Sequence, residues 1–432
     1  MVHFGIMHRL TALSVVLAAG SFSASALSQA AAPPIQVRPA NPKRVVSIDP
    51  AARAAQQQIK SAIANPDGSA TFNVIAPNAK SVAVTLEGEA EPRPLQQDAN
   101  GTWTLTTEPL KPEYYGYRVI VDDEREMDPR DPMVRLNLQN PSSIVHIPGR
   151  PSPAPWDLQD IPHGTVEHVM YTSKLATDEA GLHDRDLYVY LPPNYDAKRK
   201  QKFPVLYLLH GYSDSAIGWT DAGQANWIMD SLIQQGKIQP MVVVMPRAYG
   251  TMRMITEGWG VWTAPYKLPI ENQDIFEQMM LKEIIPMSEA RYNIATDSAH
   301  RALAGLSMGG GHSIHTGLSH PEVFGYVGAF SSAIVSPLAP GSTNAQNASS
   351  ISDETYQAAF QGIVPNAKTQ APFKLFWLSC GTEDGLNTVN QKFGTWAKQN
   401  VKGNVSINQT PGMHTWLVWR DNLITFSQLL WK

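Results

Sequence analysis

The chain has 432 residues, 43% of them apolar, and a formal net charge of −4 at pH 7. That length accommodates two domains and a large core, and the slightly negative balance excludes the basic footprint of a nucleic-acid-binding protein. The single cysteine, Cys380, excludes an internal disulfide, so stability must come from buried apolar surface.

In chain order, Arg9 precedes an apolar run from Leu10 to Ala19 and then small residues through Ala30. Residues 1–30 therefore read as a secretory signal peptide, with cleavage after Ala26 or Ala30. The run is shorter than the ~20 apolar residues that span a bilayer. A secreted or periplasmic protein with no membrane association after cleavage is expected. Residues 31–65, with Pro33, Pro34, Pro39 and Pro42, read as a linker or an arm.

Residues 66–150 change to short alternating runs, Ala70–Ile75, Ser81–Leu86 and Tyr114–Val121 among them, separated by turn signals such as Asp98-Ala-Asn-Gly101. They predict a small all-β, immunoglobulin-like sandwich that folds as a separate unit. The pattern F-x-V-x-A-P-x-A-x-x-V-x-V from Phe72, with the later Y-x-Y and D-P elements, resembles the early-set sandwich related to family-48 carbohydrate-binding modules. The resemblance implies a module packed beside a catalytic domain, in some members binding glycan. Trp103, Tyr114, Tyr115 and Tyr117 are then candidates for stacking on sugar rings, although filling the sandwich core is the favoured role.

Residues 151–432 have a different rhythm. Val166–Tyr171 and Arg185–Leu191 alternate as an antiparallel pair, whereas Phe203–Leu209 and Met241–Met245 are continuous apolar runs suited to strands buried on both faces. Asn226–Gln235 and Glu271–Arg291 carry apolar residues at helical spacing. Strands alternating with helices predict a parallel sheet covered on both sides.

Within this part, Ala302–Ala304 leads into Gly305-Leu306-Ser307-Met308-Gly309, a G-x-S-x-G pattern. A strand turning sharply into a helix needs small residues on both sides, and leaves Ser307 at the tip with its hydroxyl exposed. The fold class that follows is an α/β-hydrolase preceded by the sandwich. In that plan the loop after the first buried strand, His210-Gly-Tyr-Ser-Asp214, supplies one oxyanion N–H and the residue after the nucleophile supplies the other. These are the backbone N–H groups of Tyr212 and Met308. His210 is expected to prop its loop.

The triad of this plan runs Ser, acid, His along the chain. His414 is the one histidine after His320, in a turn before a predicted helix, and is the expected base. The acid lies in Cys380-Gly-Thr-Glu-Asp384-Gly, just after the strand-like run Lys374–Ser379. Glu383 and Asp384 are both placed to serve, and the shorter side chain before Gly385 favours Asp384.

The strings L-L-H-G-Y, E-I-I-P, R-A-L-A-G-L-S-M-G-G-G, P-E-V-F-G, C-G-T-E-D and P-G-M-H-T-W-x-x-W-R resemble carbohydrate esterase family 1 and the esterase-D-like enzymes. The resemblance spans roughly residues 165–432. It implies ester hydrolysis with no metal or organic cofactor, and it too places Asp at position 384 as the acid. Feruloyl esterases, acetylxylan esterases and trilactone siderophore esterases belong to this group. The expected substrate is a hydroxycinnamoyl ester on plant cell-wall polysaccharide, or a small aryl ester. The rivals are acetylxylan or trilactone hydrolysis and, in a different class, a glycan-binding protein without catalysis. The long segment Tyr249–Pro269 carries Trp259, Trp262 and Tyr266 beside Gly258 and Gly260, and Trp219 follows the oxyanion loop. These four aromatics are the substrate-binding candidates. The sequence does not fix an oligomeric state.

Overall fold

The computed structural model describes residues 59–432 apart from 177, 179–182, 264–265, 336–351, 353, 356–357, 359 and 361–370. The expected signal peptide, and the expected linker up to residue 58, lie outside the described residues.

Ten short strands come first: β1 (Ala62–Ala64), β2 (Ala70–Ile75), β3 (Val82–Leu86), β4 (Arg93–Pro94), β5 (Gln96–Gln97), β6 (Thr102–Thr106), β7 (Glu113–Val121), β8 (Glu124–Glu126), β9 (Val134–Arg135) and β10 (Ser142–Ile147). They form two sheets, ordered β1-β2-β6-β5 and β4-β3-β7-β10-β9, with β8 on β7. β1 lies inside the stretch read as linker, because Ala62–Ala64 pairs antiparallel with Ala70–Phe72. Alternation along each strand aims one set of side chains inward. Phe72, Val84, Trp103, Tyr115, Tyr117 and Val119 thus fill the space between the sheets, and three of the four aromatic candidates of this module are core residues. The Tyr117 hydroxyl donates to Asp128 and Asp131 at 3.1 and 2.6 Å. Tyr114 points the other way, stacks on His146 with ring centres 3.9 Å apart, and packs against the α/β part.

The remaining strands are β11 (Thr165–Thr172), β12 (Asp184–Leu191), β13 (Val205–Leu209), β14 (Val242–Pro246), β15 (Arg301–Leu306), β16 (Tyr326–Phe330), β17 (Phe373–Gly381) and β18 (Gly403–Thr410). They make one sheet ordered β11-β12-β14-β13-β15-β16-β17-β18. The first two are antiparallel, and β14 onward runs parallel. The continuous apolar runs have a direct physical reason. Val205, Tyr207 and Leu209 enter one core while Leu206 and Leu208 enter the other, so every position of β13 is buried.

The main helices are α1 (Ala225–Gln234), α2 (Lys267–Met279), α3 (Ile285–Arg291), α4 (Met308–Ser319), α5 (Asn387–Asn400) and α6 (Trp416–Ser427). The run read as a single helix over Glu271–Arg291 is divided, because a π-turn at Met280–Ile284 separates α2 from α3. Pro286, which cannot donate an N–H to the preceding turn, sits where the α-helix restarts. Together these elements form an α/β-hydrolase. Among the described residues no helix is long and apolar enough to cross a membrane.

The sandwich and the α/β part belong to one compact unit rather than two. Arg420 of α6 pairs with Glu113 of β7 at 2.7 Å and donates to the carbonyl of Tyr114 at 2.8 Å. Glu87, just after β3, accepts from the N–H of Trp416 at 3.0 Å, so a sandwich carboxylate sits at the positive end of α6.

Candidate active site

The carboxyl ends of the parallel strands converge on one cleft of about 610 Å³. β15 ends at Leu306, and Ser307 follows at φ 52°, ψ −114°, a left-handed φ that a side chain adopts only under constraint. The surrounding glycines are dictated by space. A Cβ on Gly305 would lie 2.6 Å from the carbonyl carbon of Gly309, and one on Gly309 would lie 2.5 Å from the carbonyl oxygen of His210. Ser307 is held on its strained turn by its N–H to Phe330 O at 2.8 Å and by its carbonyl, which accepts from Ala333 N at 2.9 Å.

β18 ends at Thr410 and α6 begins at Trp416, which leaves His414 in the short loop between them. Its Nε2 lies 3.0 Å from Ser307 Oγ and its Nδ1 lies 2.8 Å from Asp384 Oδ2. The ring of Trp419 meets the imidazole edge-on at 4.9 Å. Asp384 sits in the loop after β17, which is fastened to the His414 loop by Glu383 N to Gly412 O at 3.0 Å. The Asp384 side chain is buried. Burial alone would raise its pKa. The hydrogen bond and charge of His414, with the N–H of Leu386 at 2.7 Å, outweigh that and hold the carboxyl below its ordinary value. Glu383 is exposed, accepts from its neighbour Thr382 Oγ1 at 2.8 Å, and does not meet His414.

The loop after β13 packs against the serine turn: a Cβ on Gly211 would lie 2.5 Å from Leu306 and 3.3 Å from Ser307 Cβ. The Tyr212 backbone is thereby next to the serine turn, and Met308 opens α4, where first-turn N–H groups have no partner within the helix. His210 props this loop from behind. Its Nε2 accepts from Ala248 N at 2.9 Å, which leaves the proton on Nδ1 for Gly211 O at 2.8 Å. Burial pulls its pKa down to about 4, so it is a neutral brace. His312 is likewise buried, with a pKa of about 3, while His315 and His320 are tied to Glu277 at 2.8 and 3.0 Å. Burial pushes the Cys380 thiol up, as suits a small core residue.

The four aromatic candidates separate. Trp259 and Trp262 line the cleft, and both meet the Tyr212 ring edge-on, at 4.6 and 5.4 Å. Tyr266 and Trp219 do not. Tyr266 is buried at the turn that opens α2. Trp219 is fully buried, its indole N–H donates to Leu209 O at 2.9 Å, and its ring packs on Trp416. Both are structural: Trp219 finds its polar partner on a core strand, so nothing draws it to the surface.

Sequence reasoning missed a whole wall of the cleft. Glu87, Arg118, Arg135, Asn137 and Asn140 come from the sandwich. The segment after β9 grips the loop after β13. Asn137 Nδ2 donates to Asp214 Oδ1 at 2.7 Å, Leu138 N to Ser213 O at 2.7 Å, and Gln139 Nε2 to the Tyr212 hydroxyl at 3.2 Å. Burial drives Asp214 up to a pKa of about 7, against the pull of Arg135 and Asn137. The one local signal was that Arg118 occupies an outward position in the alternating β7. Among the described residues no group of three or more His, Cys, Asp and Glu side chains is placed to hold a metal ion.

A family model described as a putative esterase matches residues 181–428. Over 378 residues the chain is 31% identical to an endo-1,4-beta-xylanase/feruloyl esterase of Xylanibacter ruminicola, a match covering 85% of this chain and 45% of that protein. Over 189 residues it is 30% identical to endo-1,4-beta-xylanase Y of Acetivibrio thermocellus, covering 40% of this chain and 15% of the relative. The chain therefore spans less than half the length of these curated relatives. Among solved structures, the enterobactin esterase of Shigella flexneri has a TM-score of 0.60 at 17% identity, covering 88% of this chain and 97% of that one. This last likeness is one of fold.

Proposed function

The chain belongs to the putative esterase family, and from that membership we propose that it is a secreted serine carboxylic-ester hydrolase acting on feruloyl-type esters of plant cell-wall polysaccharide or on small aryl esters. One observation carries the reading. Ser307 Oγ stands 3.0 Å from His414 Nε2, and His414 Nδ1 stands 2.8 Å from a buried Asp384, in a cleft walled by Trp259 and Trp262. The relative named as a xylanase/feruloyl esterase supports the choice of acyl group. The leader-like composition of residues 1–30 supports export to where such a polymer is met.

In this reading Ser307 Oγ attacks the ester carbonyl as its proton passes to His414 Nε2. Asp384, accepting the Nδ1 proton, fixes the tautomer and stabilises the imidazolium that forms. The carbonyl oxygen, now negative, faces the N–H groups of Tyr212 and Met308, each worth about 3–4 kcal/mol in the transition state. His414 then protonates the leaving alcohol, and water attacks the acyl-enzyme by the same route. The planar acyl ring is taken by Trp259 and Trp262, whose aromatic faces suit it.

Acetyl ester hydrolysis is the second reading, and one observation favours it: Trp259 is 58% exposed, so its ring is not enclosed in a deep aromatic pocket. A substrate panel separates the two. Methyl ferulate and feruloylated arabinoxylan are expected to be hydrolysed well. Trp259→Ala or Trp262→Ala should cost about tenfold in kcat/KM on methyl ferulate and much less on p-nitrophenyl acetate. Acetylxylan turnover without ferulate release would instead establish the acetyl reading, and equal losses on both esters would make the loop structural.

A further inference from the structure

The charged groups lining the cleft are not equally partnered. Glu87 is taken by Arg135 at 2.6 Å and by the N–H groups of Gly116 and Trp416, each at 3.0 Å. Asp384 is taken by His414, and Asp214 is buried against Asn137. Arg118 is different. Its guanidinium donates Nε–H to Pro141 O at 2.8 Å and Nη2–H to Asn140 O, both uncharged acceptors. Partial burial first, and then the charges of Arg135 and Arg125, make it harder to keep protonated than an ordinary arginine. No carboxylate among the described residues pairs with it.

The surrounding structure fixes this cation in place. Tyr114, Gly116 and Arg118 share the face of β7 turned away from the sandwich core. Gly116 leaves the room that the Arg135 guanidinium occupies, since a Cβ there would lie 2.6 Å from Arg135 Nη2. The two carbonyl contacts hold the Arg118 guanidinium as a planar fork, with Nη1 left for a ligand. A part-buried cation repelled by its neighbours is stabilised by an anion, and a carboxylate matches the fork.

We propose that Arg118, presented by the sandwich, forms an anion-binding subsite of the ester cleft that takes a carboxylate carried by the alcohol portion of the substrate. The assignment to the alcohol portion rests on the esterase reading above, in which Trp259 and Trp262 hold the acyl ring. The substrate class is then an ester of an acidic alcohol, such as a uronic-acid-bearing oligosaccharide. Asn140, whose backbone carbonyl anchors Arg118, also lines the cleft and adds an amide at the same wall.

The test separates binding from turnover. Calorimetry on the full chain carrying Ser307→Ala would measure 5-O-feruloylquinate and 5-O-acetylquinate, each against its own methyl ester. The free acid should bind about tenfold or more tightly in at least one series, since hydrogen bonds between two charged groups are the strong ones. Adding Arg118→Gln should reduce that ratio to below about twofold, and Arg118→Lys should keep part of it. The ratio should also shrink at 0.5 M salt, where the screening length is only a few ångströms. Equal affinity for acid and methyl ester in both series would overturn the subsite, as would an unchanged ratio in Arg118→Gln protein with a normal melting curve. Hydrolysis of the same four esters by the unmodified enzyme judges the esterase reading separately.

Discussion

The two walls of the cleft are built in different ways. One carries Ser307, Asp384 and His414, each just beyond the carboxyl end of a parallel strand of one sheet. The other carries Arg118, Arg135, Asn137 and Asn140, from a sandwich whose own core is closed. The first wall is local: each side chain is placed by its strand end and by the loop beside it. The second is placed by docking, through Arg420 on Glu113, Glu87 on the start of α6, and residues 137–139 on the loop after β13. A module with the outline of an accessory domain thus lines part of the cleft, and in the proposed mechanism it braces the loop that offers the Tyr212 N–H.

The sharpest way to break this comparison is within the first wall. Asp384→Ala is expected to lower kcat about 10⁴-fold on p-nitrophenyl acetate, whereas Glu383→Ala, at an exposed side chain, should stay within about threefold. The reverse ranking would transfer the acid role to Glu383. A smaller effect is expected from the second wall. Asn137→Ala removes the donor to a buried carboxylate, which costs about 1–3 kcal/mol. If the brace matters to the oxyanion loop, kcat should fall about tenfold or more with KM nearly unchanged. A loss confined to the melting temperature would reduce the contact to packing.

The smallest expected effect is on stability against pH. The Asp214 pKa is raised by burial to about 7 from an ordinary 3.8. A carboxyl raised in the folded state contributes stability that is fully present below pH ~4 and is lost as pH rises through ~7. The groups facing it are Arg135, Asn137, Glu87 and Asp221. Asp214→Asn should therefore flatten the fall of the melting temperature between pH 4 and 8. The share from Glu113, also held at about 7 by burial beside Arg420, should remain. An unchanged slope would mean that Asp214 stays ionised inside the loop.

The same contrast explains what the sequence revealed. The grouping of Ser307, His414 and Asp384 was legible because all three follow strand ends, and strand ends are marked by apolar runs meeting glycines. His210 was legible as a prop from the chain order of the triad. Trp219 and Tyr266 misled because a loop aromatic has the same local signature whether it faces a cleft or a core. Trp219 is decided by a carbonyl on β13 and the ring of Trp416, both remote in sequence or hidden in a strand. Arg118 and Asn137 were not legible as cleft residues. Alternation says which face of β7 points away from the sandwich core, but not which surface covers it.

The most direct measurement is to trap the acyl-enzyme. The full chain is mixed with an activated aryl phosphonate or a slowly deacylating aryl ester, and the labelled peptide is sequenced by mass spectrometry. One adduct per chain is expected, on Ser307, with esterase activity lost in proportion to labelling and no adduct in Ser307→Ala or His414→Ala protein. Ester hydrolysis that survives full labelling of Ser307, or an adduct formed stoichiometrically on another residue, would contradict the assignment of this cleft.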